Sequence, residues 1–250
     1  MSPSGTRSFW PLPSRPVALR LVMIGGGLLI VGFALALFIA HHKAWMNATD
    51  LPVNRWLYDL GRHQVVLRDP SRLVSYIGGG SKTLPLMLGV AAILVVCRRW
   101  RWALFLVVCS QGGFFVSNTT KHLVERSRPP FGHFTGSQVG TSFPSGHTFA
   151  GISTWLAIAV IVFYVLPRPW STWGAIFPVI IGVANGPSRL VLGQHWITDV
   201  LGAWLLGGGW LLVCFGLFVR FVAVPSSDPD HSAQSKASGS PPGDLPATQE

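Results

Sequence analysis

Charge is scarce in this chain: only 11% of its 250 residues are charged, and nine acidic residues face 19 Lys and Arg. A soluble domain carries roughly 25% charged residues, so an ordinary water-facing surface is excluded. Cysteine is rarer still. Cys97, Cys109 and Cys214 lie far apart in apolar runs. An odd number without C-x-x-C spacing gives neither a disulfide framework nor a zinc site, and the three read as small buried hydrophobes. The formal net charge of +10 comes without long basic runs, none exceeding Arg98-Arg99. With no nucleic-acid motif either, nucleic acid is not an expected partner. Apolar residues, by contrast, make up 49% of the chain, with mean hydropathy +0.45. That is a membrane composition, and anionic head groups or phosphate substrates suit its positive charge.

The hydrophobic runs predict an all-α, polytopic membrane bundle of six transmembrane helices with an amphipathic interfacial helix. Residues 1–20, with Arg7, Arg15 and Arg20 among prolines, read as a disordered basic arm. Leu21 to Ala40 is an unbroken apolar run, long enough to span. His41-His42-Lys43 follows it where a signal peptide would carry a small-residue cleavage site. Asp50-Leu51-Pro52 reads as a helix start with Asp50 as N-cap. Val53, Trp56, Leu57 and Leu60 then form one apolar face, as expected of a helix on the membrane surface. The other expected spans are Thr83–Cys97, Trp102–Val116, Phe149–Leu166, Trp173–Ala184 and Ile197–Val219, the membrane domain covering 21–222. Residues 223–250 read as a disordered tail. The Arg98-Arg99-Trp100-Arg101 turn is the strongest cytoplasmic marker. It implies a plasma-membrane protein with both termini cytoplasmic and the 118–148 and 186–199 segments on the outer side.

Three polar blocks interrupt this apolar background: Lys121 to Pro129, Pro144 to His147, and Ser188 to Asp199. Ionisable groups near apolar spans are costly and tend to mark function. Lys121 and Arg128, seven apart, share a face if the segment is helical, and two cations near one point neutralise phosphate oxygens. Glu125 and Arg126 read as a pair of their own or as solvent-facing residues. Ser145-Gly146 opens a span, where free backbone N–H groups and the helix dipole favour an anion. His195 and Asp199, at i and i+4, are expected as neighbours on one helix face. Such a carboxylate fixes the imidazole tautomer and leaves the other ring nitrogen free. Two spans lie between the second and third blocks, which returns all three to one side of the membrane.

The blocks read K-x6-R-P, P-S-G-H and S-R-x5-H-x3-D with every fixed letter present, and in this they resemble the type 2 phosphatidic acid phosphatase superfamily. The resemblance covers residues 50–220 loosely and the blocks tightly. It implies an integral-membrane lipid phosphatase in which His195 is the nucleophile forming a phosphohistidine, Asp199 orients it and His147 protonates the leaving oxygen. Lys121, Arg128, Ser145, Gly146 and Arg189 would bind the phosphoryl oxygens. Three cations take the place of a metal in such chemistry, so no metal or other cofactor is expected. The implied partners are the bilayer and a lipid phosphate, with undecaprenyl diphosphate the favoured substrate and phosphatidylglycerophosphate or phosphatidate the alternatives. The same site would also suit a lipid phosphotransferase. Vanadium haloperoxidases share the residue types but are soluble and larger. Oligomeric state is not written in the sequence.

Overall fold

A computed structural model describes residues 8–131 and 140–222. The expected tail, the first seven residues of the expected arm and part of the 118–148 segment fall outside the described residues. Among those described there are helices and no strands. Helix α1 is Arg15–His41, with a proline in its first turn, so it begins six residues ahead of the apolar run that predicted it. Its buried positions Ala18, Gly25, Gly32 and Ile39 form a narrow stripe at heptad spacing, and most of its other faces stay exposed. The stripe packs on α8, Ile197–Phe221. Contact there is backbone to backbone: a Cβ on Gly25 would lie 2.7 Å from the Gly209 carbonyl oxygen. Between apolar helices in lipid, this close approach of small residues replaces the hydrophobic effect as the packing force.

Helix α2, Lys43–His63, begins well before Asp50, and Pro52 lies inside it. Asp50 is therefore no N-cap. The buried positions of α2 are Met46, Asp50, Asn54 and Gly61, while Val53 and Trp56 face outward. The helix thus turns its apolar side to the membrane and its polar side to the protein. Helices α3, Val65–Ile77, and α4, Gly80–Val96, follow, and their axes bend by 54° at the break between them. Helix α5 runs Trp100–Val124, past the expected end at Val116, and holds a π-helical stretch at Val108–Gly112. Helix α6, Gly146–Val165, holds a second π stretch at Gly151–Trp155. Helix α7, Trp170–Val191, carries Pro178 and Pro187 and extends past the expected end to include Arg189.

Five of these helices are long and apolar enough to cross a membrane, and the bent α3–α4 pair is the sixth candidate. The two ends of the bundle differ. At one, Arg99 donates to the Val165 carbonyl (3.0 Å) and the Phe9 amide to Tyr164 (2.8 Å), above an aromatic core of Trp102, Phe105, Phe215 and Phe218. The three polar blocks gather at the other, separated from the Arg98–Arg101 turn by the 25 residues of α5, about 37 Å of helix.

Candidate active site

Glu125, in the left-handed conformation at φ 47°, ends α5 and redirects the chain. Lys121 is left in the last helical turn, while Arg126 and Arg128 leave on non-helical backbone. The shared helix face expected for Lys121 and Arg128 does not exist, but the turn brings both to the site by another route. Lys121 Nζ donates to the carbonyls of Pro144 (2.7 Å) and Thr141 (3.2 Å), locking the α5 terminus to the loop before α6. Ser145 caps α6, its hydroxyl accepting from the Thr148 hydroxyl at 2.8 Å and its amide donating to the Asp199 carbonyl. A Cβ on Gly146 would meet only Lys121 Cε, at 3.7 Å. The first turn of α6 is therefore open to an anion beneath the lysine.

His195 lies ahead of α8 rather than on it. Trp196 is the N-cap and Asp199 the N3 residue, whose Oδ2 accepts from the Trp196 amide at 2.9 Å. The carboxylate so placed lies 3.3 Å from His195 Nδ1. On the ring's other side, Arg128 Nη1 is 3.1 Å from Nε2. A guanidinium can only donate. Nε2 therefore carries the lone pair and Nδ1 the proton, shared with Asp199, which is the tautomer a nucleophile needs. Burial first, then the charges of Arg128, Arg189 and Lys121, hold the His195 pKa well below its ordinary value. The imidazole is neutral at physiological pH.

Arg126 overturns its solvent-facing reading. Its side chain is fully buried and meets two carboxylates at 2.8 Å each, Asp199 Oδ1 and Asp50 Oδ2. It also donates to Thr198 Oγ1 (2.6 Å) and Asn47 Oδ1 (2.8 Å). Asp199 is thus held by Arg126 on one oxygen and by Trp196, Ser142 and His195 on the other. Asn54 completes the support from α2. It donates to the His195 carbonyl (2.7 Å) and accepts from the Ile197 amide (3.0 Å), clamping the backbone on both sides of Trp196. One signal for these residues was available: in so apolar a chain, a carboxylate such as Asp50 requires a cationic partner.

Arg189 enters from the last turn of α7 and is held by Ser75 of α3 and Gln194. Its Nε, like that of Arg128, is buried without a partner among the described residues. Half-buried His147 approaches from α6, and the break between α3 and α4 makes room for it: a Cβ on Gly79 would lie 3.1 Å from His147 Nε2. Lys121, Arg126, Arg128 and Arg189 are four cations; Asp50 and Asp199 are two anions. With neutral imidazoles the difference is two positive charges, the complement of a phosphate monoester dianion. No cluster of three or more His, Cys, Asp or Glu suited to a metal occurs among the described residues.

The sequence model described as PAP2 superfamily matches residues 100–222. Phosphatidylglycerophosphatase B of Bacillus subtilis (strain 168) is 31% identical over 137 residues, 54% of this chain. The matched region spans about two thirds of that relative, 66% of its length. A crystal structure described as the first transmembrane PAP2 type phosphatidylglycerolphosphate phosphatase, from Bacillus subtilis, superposes with TM-score 0.66 at 23% identity. It covers 79% of this chain and 96% of that one, so the bundle itself is shared.

Proposed function

The chain belongs to the PAP2 superfamily, and from that premise we propose that it is an integral-membrane lipid phosphatase working through a phosphohistidine. The observation that carries this reading is the neutral His195 lone pair set among cations that exceed the carboxylates by two. His195 Nε2 attacks phosphorus and the bond to the lipid oxygen breaks, while His147, protonated when the phosphate dianion is bound beside it, supplies the proton that oxygen takes up. Water then attacks the phosphohistidine, passing a proton back to His147, the N–P bond breaks, and orthophosphate leaves. Asp199 compensates the positive charge that grows on the ring during attack. Lys121, Arg128, Arg189 and the α6 N-terminus hold the equatorial oxygens, as phosphoryl transfer demands positioning and charge stabilisation above all.

A head group held at the membrane interface leaves its hydrocarbon among the helices. The Arg98–Arg101 turn lies at the opposite end of the bundle from the site, and a cytoplasmic position for it puts the site on the outer face of the plasma membrane. Phosphatidylglycerophosphate is the substrate favoured by the names of the relatives; undecaprenyl diphosphate, the choice from outer-face chemistry alone, is the second reading. Purified protein assayed against a panel of lipid phosphates separates them. We expect orthophosphate release in excess EDTA and inhibition by orthovanadate, which mimics the transferring phosphoryl group. Turnover lost in EDTA and restored by Mg²⁺ would contradict the cation-only site. Transfer of phosphate to added glycerol in place of release would make the protein a phosphotransferase.

A further inference from the structure

We propose that the cavity between α4, α5 and α6 is a binding subsite for the glycerol ester region of diacylated lipid phosphates, with Gln111, Ser110 and Thr154 distinguishing these lipids from isoprenoid phosphates. The proposal rests on the phosphatase reading of the adjoining site. The cavity has a volume of about 540 Å³ and begins at Lys121, Gly146 and His147. From there it descends along α5 as far as Ser110, 11 residues below Lys121 or about 16 Å of helix rise. Its lining is largely apolar, but Ser110, Gln111, Ser153 and Thr154 set hydroxyls and an amide within it. Hydroxyls and amides at that depth are costly unless they find hydrogen-bonding partners.

The polar groups are arranged as donors. Thr154 Oγ1 donates to Ser110 Oγ at 2.9 Å, and Gln111 Nε2 lies 3.4 Å from the same oxygen. Ser110 accepts from both and keeps its own proton for a further acceptor. Ser110 and Thr154 are buried, whereas Gln111 is exposed in the middle of an apolar span. Two of the three π stretches among the described residues lie at this level, Val108–Gly112 on α5 and Gly151–Trp155 on α6, the third being Phe218–Val222. A π turn inserts a residue and rotates those that follow, and such turns are frequent at functional sites. The helices meet closely just beyond: a Cβ on Gly113 would lie 2.8 Å from that of Ser153.

Exposed Leu84 and Phe114 also line the cavity, giving it apolar lips toward the bilayer. A lipid that fills it needs a phosphate at one end, acceptors without donors below, and hydrocarbon leaving sideways. A diacylglycerol phosphate has that order, its ester carbonyls being acceptors only. An isoprenoid phosphate carries hydrocarbon directly after its phosphate and would offer no acceptor to the Ser110 hydroxyl or to the second N–H of Gln111.

The test compares dioleoyl phosphatidate with its diether analogue, which has the same shape and phosphate but lacks the carbonyls. We expect the wild-type protein to prefer the ester by about tenfold in kcat/KM, the worth of one or two neutral hydrogen bonds. Gln111→Leu and Thr154→Val should bring that ratio toward one. Equal turnover of ester and ether by the wild type would overturn the proposal, and so would an unchanged ratio in both variants. The wild-type comparison needs no variant, so a misfolded variant does not shield the idea. If no lipid phosphate is hydrolysed, the phosphatase reading fails by itself. Heat stabilisation by dioleoylglycerol over its diether analogue then decides the subsite, and equal stabilisation by the two would overturn it.

Discussion

Arg126 and Arg128 stand two residues apart on one non-helical segment, yet they lie in opposite electrostatic surroundings. Arg126 is fully buried against Asp50 and Asp199, with its charge answered twice. Arg128 faces His195 Nε2 and a backbone carbonyl, and its Nε is buried without a partner among the described residues. Burial pulls the pKa of Arg128 down, and the more distant Asp199 offsets only part of that. A buried cation with carboxylate partners is a structural element, because its desolvation is compensated within the fold. A half-buried cation without one awaits an anion from outside. In the proposed mechanism the difference separates the floor beneath His195, which orients it, from the pocket above, which binds what it attacks.

The largest effect should come from the pocket side. Arg128→Ala is expected to lower kcat/KM for a lipid phosphate by about 10²–10³, the usual cost of removing one transition-state donor, while the melting temperature changes little. A comparable loss of thermal stability would erase the distinction between the arginines. Arg126→Ala should do the reverse. It leaves two buried carboxylates uncompensated and should destabilise the fold by about 3–5 kcal/mol, read by thermal or denaturant unfolding. Adding Asp50→Asn to that variant should restore part of the stability, whereas strictly additive losses would argue against a coupled network.

Gly79 tests whether His147 needs the bend between α3 and α4. Gly79→Ala crowds Nε2 of that imidazole, and small misplacements of a reacting group cost up to about 10²-fold. The loss should be greater on lipid phosphates than on an activated aryl phosphate, whose leaving group needs little protonation. Equal losses on the two substrates would remove His147 from the acid role.

The smallest effect is on pH dependence. The folded pKa of His195 is depressed below its ordinary 6.5, and the neutral ring is the active form. Activity is therefore retained above that folded pKa and lost as pH falls through it. The acid limb of kcat/KM, corrected for substrate titration, should lie below 6.5. By the same sign, the stability this group contributes is complete above about 6.5 and lost as pH falls. Arg128→Ala removes one of the repelling charges and should move the limb upward. A limb that stays in place would mean the arginine does not act on the ring.

The three blocks were legible because phosphate chemistry demands specific residue types, and the sequence holds few other charges to confuse them. The spans were legible too, apart from their ends, since a polar stretch such as 117–124 continues the helix beyond the apolar run that marks it. Arg126 was hidden by its ordinary setting between Glu125 and Ser127, where a paired or solvated arginine is the common outcome. Its partner Asp50 was hidden by Pro52, which imitates a helix start. The i, i+4 spacing of His195 and Asp199 brought them together correctly for a different reason: Asp199 reaches back as an N3 residue to a histidine outside the helix.

The central claim is that His195 Nε2, held neutral above a floor in which Arg126 joins two carboxylates, attacks the phosphorus. Rapid quenching of the protein with a ³²P-labelled lipid phosphate, followed by mapping of the labelled peptide, tests it most directly. The expected result is an acid-labile, base-stable phosphoryl group on His195, absent from His195→Ala. A phosphoryl group on another residue, or turnover that inverts configuration at a chiral thiophosphate, would contradict the account.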